Sequence, residues 1–294
     1  MKIRVPATSA NLGPGFDCLG LALAFYNDVV IKPSNSLLID VVGEGSDREN
    51  IKRDNTFVKI FYEIYEELVG KKDNFAFTFI NNIPFSRGLG SSSSVIVGAI
   101  ASAYHLAKVK IDKQSILDRA LKYENHPDNI APATFGGFVV SIVNGNRVIK
   151  IKKELPNNIN SVVVIPNEPI STKVSRTLLP KSFIMKDMVF NLSHSSFLSS
   201  AFMSENWELL KYAAKDKIHE DKRMSLMPEL FDVRRVAQEN GALMSTLSGS
   251  GSTFFNLTYK QNSKRLCEAL KSSFGNFKVL ELEFDNNGFV IFDE

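Results

Sequence analysis

Three short stretches concentrate residue types that bind anions. Residues 83–94 read IPFSRGLGSSSS, with Gly88 and Gly90 placed directly before a serine run and a long apolar segment. Glycine lets the backbone turn sharply, and serines that open a helix offer hydroxyls beside N–H groups that have no partner within the helix. With the positive end of the helix dipole behind them, such groups hold a phosphate chain, and a hydroxyl there can also ligate a phosphate-bound magnesium ion. Plain helix capping by serine gives the same local pattern. Two related clusters, PATSANLGPGFD at 6–17 and LSGSGST at 247–253, shift the balance towards a ligand. None of the three has a lysine after its glycines. Ser93, Cys18 and Phe254 stand where the last glycine of G-x-G-x-x-G belongs, so P-loop and Rossmann nucleotide sites both fail.

A second group of residues carries charge. Glu124 reads as the end of a helix, where a negative charge is unfavourable by about 0.3–1 kcal/mol unless a cation sits beside it. A metal ion or a neighbouring lysine would serve equally. In the HPDN that follows, Asp128 and Asn129 suit an Asx turn or a cap as well as they suit a ligand. Arg176 lies in STKVSRTLLP, and Arg223 closes the charged run DKIHEDKR, which by composition alone is a solvated face. His105, His126, His194 and His219 show no paired ligand spacing, and Cys18 and Cys267 form no C-x-x-C, which argues against a zinc site or a disulfide framework.

The elements that must position these loops alternate in type through the first half of the chain. KIRVPATS, LALAFYNDVVIK, LLIDVVGEG and FAFTFINN read as strands, the last by strict alternation. TFVKIFYEIYEELVG is a helix with Asn55 or Thr56 as its cap and Gly70 as its stop. SVIVGAIASAYHLAKV is apolar on nearly every side and predicts a buried central helix, and DKQSILDRALKYE predicts another, capped by Asp112. FVVSIVNGNRVIKIKK reads as a hairpin turned at Asn144-Gly145. Beyond a boundary near 155, a strand SVVVIPN, a helix ending at Gly241, a strand pair broken by the third Gly/Ser cluster and a terminal hairpin turning at Asn287-Gly288 are expected.

The whole chain sets the outer limits. Its 294 residues suffice for two domains, 1–155 and 156–294, and 44% hydrophobic with 23% charged residues is an ordinary globular balance. A net charge of +3 spread along the sequence includes no nucleic-acid arm and suits an anionic small substrate. The start MKIRVPATSA has no signal-peptide core and no apolar run is long enough to span a bilayer, so a cytoplasmic protein is expected.

PATSANLGPGFD, IPFSRGLGSSSS, HPDNIAPATFGGF and LSGSGST, in this order and nearly end to end, resemble the motifs of the galactokinase, homoserine kinase, mevalonate kinase and phosphomevalonate kinase (GHMP) superfamily. The first and third motifs resemble its homoserine kinase branch. The resemblance implies an α+β, two-domain GHMP kinase fold, with an N-terminal mixed-sheet α/β domain carrying the nucleotide loop and a C-terminal ferredoxin-like α+β domain. It implies MgATP-dependent phosphorylation of the side-chain hydroxyl of L-homoserine on the way to threonine, a small-molecule partner without nucleic acid or membrane, and a homodimer.

By the same resemblance, Gly88, Leu89, Gly90, Ser91 and Ser92 wrap the ATP phosphates. Pro84, Ser86, Arg87, Ser93 and Ser94 complete that loop, and Asn55 and Thr56 contribute to the adenine side. Ser92 and Glu124 lie near Mg2+. Asn11, Asp17, Asp128, Asn129, Thr172 and Gly249 touch the amino acid, with Asn129 nearest the attacking hydroxyl and the arginines Arg176 and Arg223 on the carboxylate. The family pattern usually has glycine between Glu124 and His126, where this chain has Asn125. Two readings remain beside this one: a sister kinase acting on a different alcohol, and a relative that binds nucleotide without transferring phosphate.

Overall fold

The computed structural model describes residues 1–293. In chain order its elements are β1 (Lys2–Ala10), β2 (Leu19–Pro33), β3 (Leu38–Gly43), α1 (Glu49–Arg53), α2 (Thr56–Val69), β4 (Phe75–Asn81), α3 (Ser91–Leu106), α4 (Lys113–Ala120), α5 (Pro127–Phe135), β5 (Phe138–Asn144) and β6 (Arg147–Lys153). There follow β7 (Ile159–Ile165), α6 (Thr172–Thr177), α7 (Met185–Met203), α8 (Leu210–Ala213), α9 (Glu220–Met224), α10 (Glu229–Glu239), β8 (Met244–Leu247), β9 (Phe254–Tyr259), α11 (Lys260–Ser273), β10 (Lys278–Leu282) and β11 (Val290–Phe292).

Two sheets result. The first runs β11-β1-β2-β4-β3, with β5 on β2 and β6 on β5. Its β3–β4 pair is parallel and the others antiparallel, which makes it mixed. The second is antiparallel in the order β10-β7-β9-β8, the ferredoxin-like arrangement. One apolar core lies between the first sheet and α2–α5, one between the two sheets, and one between the second sheet and α10–α11. The register of β1 on β2 shifts at Pro6/Ala7, where β1 passes from the first of these cores to the second. Ile3 and Val5 belong to the core against the helices, whereas Ala7 belongs to the core between the sheets, and the shift leaves Ala24 and Phe25 of β2 without partners across β1.

Local signals were followed closely where partner choice was not at stake. Phe75–Asn81 alternates buried and half-buried residues throughout, and α2 is capped by Asn55, whose side chain accepts from the Val58 amide, and stopped at a left-handed Gly70. The β5–β6 turn is Gly145-Asn146, one residue later than expected, since Asn144 pairs with Arg147. The expected terminal hairpin does not form. β10 pairs with β7 and β11 with β1, so the segment between them crosses from the second sheet back to the first. Its turn is held by Asp285, which accepts from the amides of Asn287 and Gly288, while Gly288 packs against the carbonyl of Thr134 at the end of α5.

Candidate active site

The three Gly/Ser loops meet between the two sheets and are tied to one another. Gly249 N–H donates to the Ala10 carbonyl at 3.0 Å, Thr253 N–H to the Arg87 carbonyl at 3.0 Å and Thr8 N–H to the Leu89 carbonyl at 3.1 Å. Ser248 Oγ donates to the Gly88 carbonyl at 2.6 Å. This packing is what demands glycine. A Cβ on Gly88 would lie 2.0 Å from the Ser248 carbonyl oxygen, and one on Gly90 would lie 1.9 Å from Thr8 Oγ1. Both have positive φ as well, a second reason that a side chain is not accommodated at either. The first loop is held in left-handed conformations at Asn11 (φ 68), Leu12 (φ 50) and Asp17 (φ 57), an unusual density for non-glycine residues and of the kind found at functional sites. Asn11 supports it: Oδ1 accepts from the Asp17 amide, and Nδ2 donates to the Gly249 carbonyl.

One cleft of about 280 Å³ gathers nearly all the residues singled out above. Asn11, Asp17, Pro84 and Ser86 to Ser93 line it, with Glu124, Asp128, Asn129, Thr172, Arg176, Arg223 and Gly249. Three expected residues are not among them. Asn55 caps α2, Thr56 opens that helix in an exposed position, and Ser94 is buried behind the loop, donating to the Ser91 carbonyl and accepting from Asn27. Ser250 of the third Gly/Ser cluster lines it as well, and so does His126, which was not anticipated.

On one side of the cleft is the start of α3. Gly90 is its left-handed N-cap, and the first bond of the helix runs from the Ser94 amide to the Gly90 carbonyl, leaving the amides of Ser91–Ser93 ahead of it. Ser92 is exposed. Arg87 lines the cleft, but its guanidinium donates to the carbonyls of Phe85, Pro166 and Asn167 and so clamps the loop to the end of β7.

Opposite charges occupy the other side. Glu124 lies four residues beyond the end of α4, with its amide on the Ala120 carbonyl, and its side chain meets His126, Nδ1 to Oε1 3.2 Å. That bond raises the His126 pKa, and Nε2 faces Asp17 at 3.6 Å. Arg176 chelates Asp17 at 2.9 and 3.3 Å. Asp128 stands in the first turn of α5, 4% exposed, and among the described residues its carboxyl has neither hydrogen bond nor ion pair. Burial, with the Asp17 charge second, pushes it up to about 7. Next to it, Asn129 Oδ1 accepts from Thr8 Oγ1 at 2.6 Å, which turns its NH2 group away from β1.

The charged run around Arg223 is not a solvated face. Asp216 accepts from the amides of Ile218, His219 and Glu220, and Glu220 accepts from the Leu247 amide, docking α9 on β8. Arg223 is consequently 2% exposed. Its Nη1 donates to the Gly249 carbonyl at 3.1 Å and to His219 Nδ1 at 3.2 Å, while Nε has no partner among the described residues. His219 Nε2 donates to the Gly13 carbonyl at 2.8 Å, so the imidazole is neutral and Nδ1 accepts. Burial and then the nearby Arg176 charge draw Arg223 down to about 10. No carboxylate pairs with it among the described residues.

Ser92 and Glu124 present a hydroxyl and a carboxylate, hard oxygen donors of the kind magnesium takes, and no cluster of three or more metal-binding side chains exists among the described residues. That set fits an ion shared with nucleotide phosphates, not an all-protein cage. No helix of the described residues is long and apolar enough to cross a membrane.

Comparison with known proteins gives the same framework. The GHMP kinases N terminal domain model matches residues 55–137, and the GHMP kinases C terminal model matches 198–276. The chain is 59% identical over 291 residues to a homoserine kinase of Campylobacter jejuni, covering 99% of this chain and 100% of the relative. It is 55% identical to a homoserine kinase of Campylobacter lari with the same coverage. The crystal structure of a homoserine kinase from Cytophaga hutchinsonii superposes with a TM-score of 0.88 at 27% identity, over 99% of this chain and 96% of that one.

Proposed function

This chain belongs to the GHMP kinase family, and from that premise we propose that it phosphorylates the side-chain hydroxyl of L-homoserine with ATP as donor and Mg2+ as the accompanying ion. One observation carries the choice of acceptor. A buried guanidinium without a carboxylate, Arg223, and a buried carboxyl without a cation, Asp128, line the same cleft. A zwitterionic amino acid satisfies both, its carboxylate between Arg176 and Arg223 and its ammonium towards Asp128 and Asp17. Mevalonate and sugars have no ammonium to offer.

The ATP phosphates take the amides of Ser91–Ser93, where N–H groups and helix dipole act together. Ser92 and Glu124 hold Mg2+, which neutralises charge on the transferring phosphoryl group when bound. Because Thr8 occupies Asn129 Oδ1, the Asn129 NH2 donates to the acceptor oxygen and orients it. That oxygen attacks the γ-phosphorus, the bond to the bridging β–γ oxygen breaks, and the hydroxyl proton leaves on a phosphoryl oxygen. No side chain is required as a strong base. Residues 1–155 carry the nucleotide loop and residues 156–294 supply the arginines and the third loop, and two chains associate as a dimer, which light scattering tests.

The test is ADP release with L-homoserine, D-homoserine, L-serine, L-threonine and mevalonate in parallel, with mass spectrometry of the product. Turnover confined to L-homoserine is expected. Preference for mevalonate overturns the acceptor assignment alone, whereas nucleotide binding without turnover on any alcohol overturns the kinase reading.

A further inference from the structure

Phe16 is half-buried but belongs to none of the three apolar cores. What surrounds its ring is polar. The Arg176 guanidinium carbon lies 5.5 Å from the ring centroid and that of Arg223 lies 5.2 Å from it, both within the range of a cation–π contact. The imidazole of His219 sits 5.1 Å away, tilted by 42°. Phe16 is also not among the residues that line the cleft, so it meets a ligand only through its neighbours.

We propose that Phe16 is a positioning residue that spaces and orients the Arg176 and Arg223 guanidiniums as a two-pronged clamp, and thereby makes the site selective for acceptors that carry a carboxylate. Two guanidiniums sharing one cleft repel and need something between them that is not another cation. An aromatic ring does this with both prongs at once, because its quadrupole attracts positive charge and its flat shape matches a planar group. The other contacts anchor each arginine separately. Asp17, next to Phe16 in the chain, chelates Arg176, while Gly249 and His219 hold Arg223. Phe16 touches both arginines and His219 as well. The loop that carries it is left-handed at Asn11 and Leu12 before it and at Asp17 after it.

This inference rests on the proposal that the two arginines bind the acceptor carboxylate. The experiment separates the two. Steady-state kinetics are measured on the full chain with L-homoserine and with L-homoserinol, which replaces the carboxylate by a hydroxymethyl group. Wild type must discriminate strongly between them; if it does not, the carboxylate reading fails and the inference goes with it. Given discrimination, Phe16→Leu is expected to raise KM for L-homoserine about tenfold, from the loss of contacts to two partly desolvated cations, with kcat changed by less than about twofold. KM for ATP and kcat/KM for L-homoserinol stay near wild type. Phe16→Tyr, which keeps the ring, restores most of the L-homoserine KM.

A merely structural role predicts equal losses with both acceptors, and that result, or a Phe16→Tyr variant as impaired as Phe16→Leu, refutes the proposal. So does an unchanged KM in Phe16→Leu. Nucleotide binding and thermal unfolding check that the variants fold. Should Phe16→Leu fail this check, Phe16→Met against Phe16→Tyr makes the same comparison of flexible apolar bulk with an aromatic ring.

Discussion

Replacing Asp128 by asparagine should leave the unliganded protein more stable and the amino acid more weakly bound, with the first effect confined to neutral and alkaline pH. The carboxyl is 4% exposed with no partner among the described residues, and its pKa rises from 3.8 to about 7 although it stands at a helix N-terminus, which favours the charged form. Burial therefore outweighs the dipole. A shift of that size is worth roughly 4 kcal/mol. Its sign follows from linkage: between pH 4 and 7 the native state keeps the proton that the unfolded chain has released, so stability falls as pH rises through this window and is flat above it. Wild type thus carries the full penalty at pH 8 and almost none at pH 4.

Asp128→Asn removes the charge but leaves a buried amide without partners, at a cost of about 1–3 kcal/mol, so the net gain at pH 8 is about 1–3 kcal/mol. For a chain of this size that is a rise in Tm of roughly 2–5 °C. Glu220, also buried and pushed up to about 8, acts in the same direction in both proteins and cancels in the difference. The assay is thermal unfolding of both proteins without ligand at pH 5 and pH 8, with calorimetric titration of L-homoserine at pH 8. Binding should weaken by at least about thirtyfold, the cost of removing one partner from a buried charge pair. A variant that is no more stable than wild type at pH 8, or that binds L-homoserine normally, refutes the assignment of Asp128 to the substrate ammonium. Should turnover then fall as deeply as in a magnesium-ligand variant with binding intact, Asp128 is a general base and the direct-attack mechanism is wrong.

Glu124→Gln should require at least about tenfold more free Mg2+ for half-maximal activity, since one of two protein oxygen donors loses its charge; Mg2+ titration at fixed ATP reads this, and an unchanged requirement removes Glu124 from the ion. Gly90→Ala forces a side chain into φ 67 with its Cβ 1.9 Å from Thr8 Oγ1. It should lower stability by more than about 1–2 kcal/mol and abolish tight binding of a fluorescent ATP analogue. Arg223→Met is expected to raise KM for L-homoserine about a hundredfold while the Kd for MgATP stays put, and an equal loss of both would place Arg223 in the architecture of the cleft, not on the carboxylate.

The local grammar of this chain was readable and its pairings were not. Alternation in β4, the cap at Asn55 and the stop at Gly70 depend on residues within a few positions, so periodicity and backbone preference identify them. Asn287-Gly288 is an equally good local turn signal, and the turn exists, but which strands it joins depends on whether Gly288 can dock on the Thr134 carbonyl more than a hundred positions away. The same holds for Glu124. The sequence puts it at a helix end, but α4 stops at Ala120 and the chain turns back, so the neighbour it meets, His126, is set by that turn and not by the helix pattern.

Arg223 shows why the binding side of the site is the hardest part to read. A run such as DKIHEDKR is normally solvated because burying its charges without partners is costly. Here Asp216 takes the amides of Ile218, His219 and Glu220 together with the Asn191 side chain, and Glu220 takes the Leu247 amide and Arg234, which lets the segment fold inward and leaves Arg223 buried with no carboxylate paired to it among the described residues. Asp128 is left in the converse position. Each residue breaks the rule that buried charges are paired, and both line the same cleft with opposite signs. Those deficits cancel when one molecule supplies an ammonium and a carboxylate together, so a feature that looks like poor packing in the isolated chain is half of an interaction whose other half is the substrate.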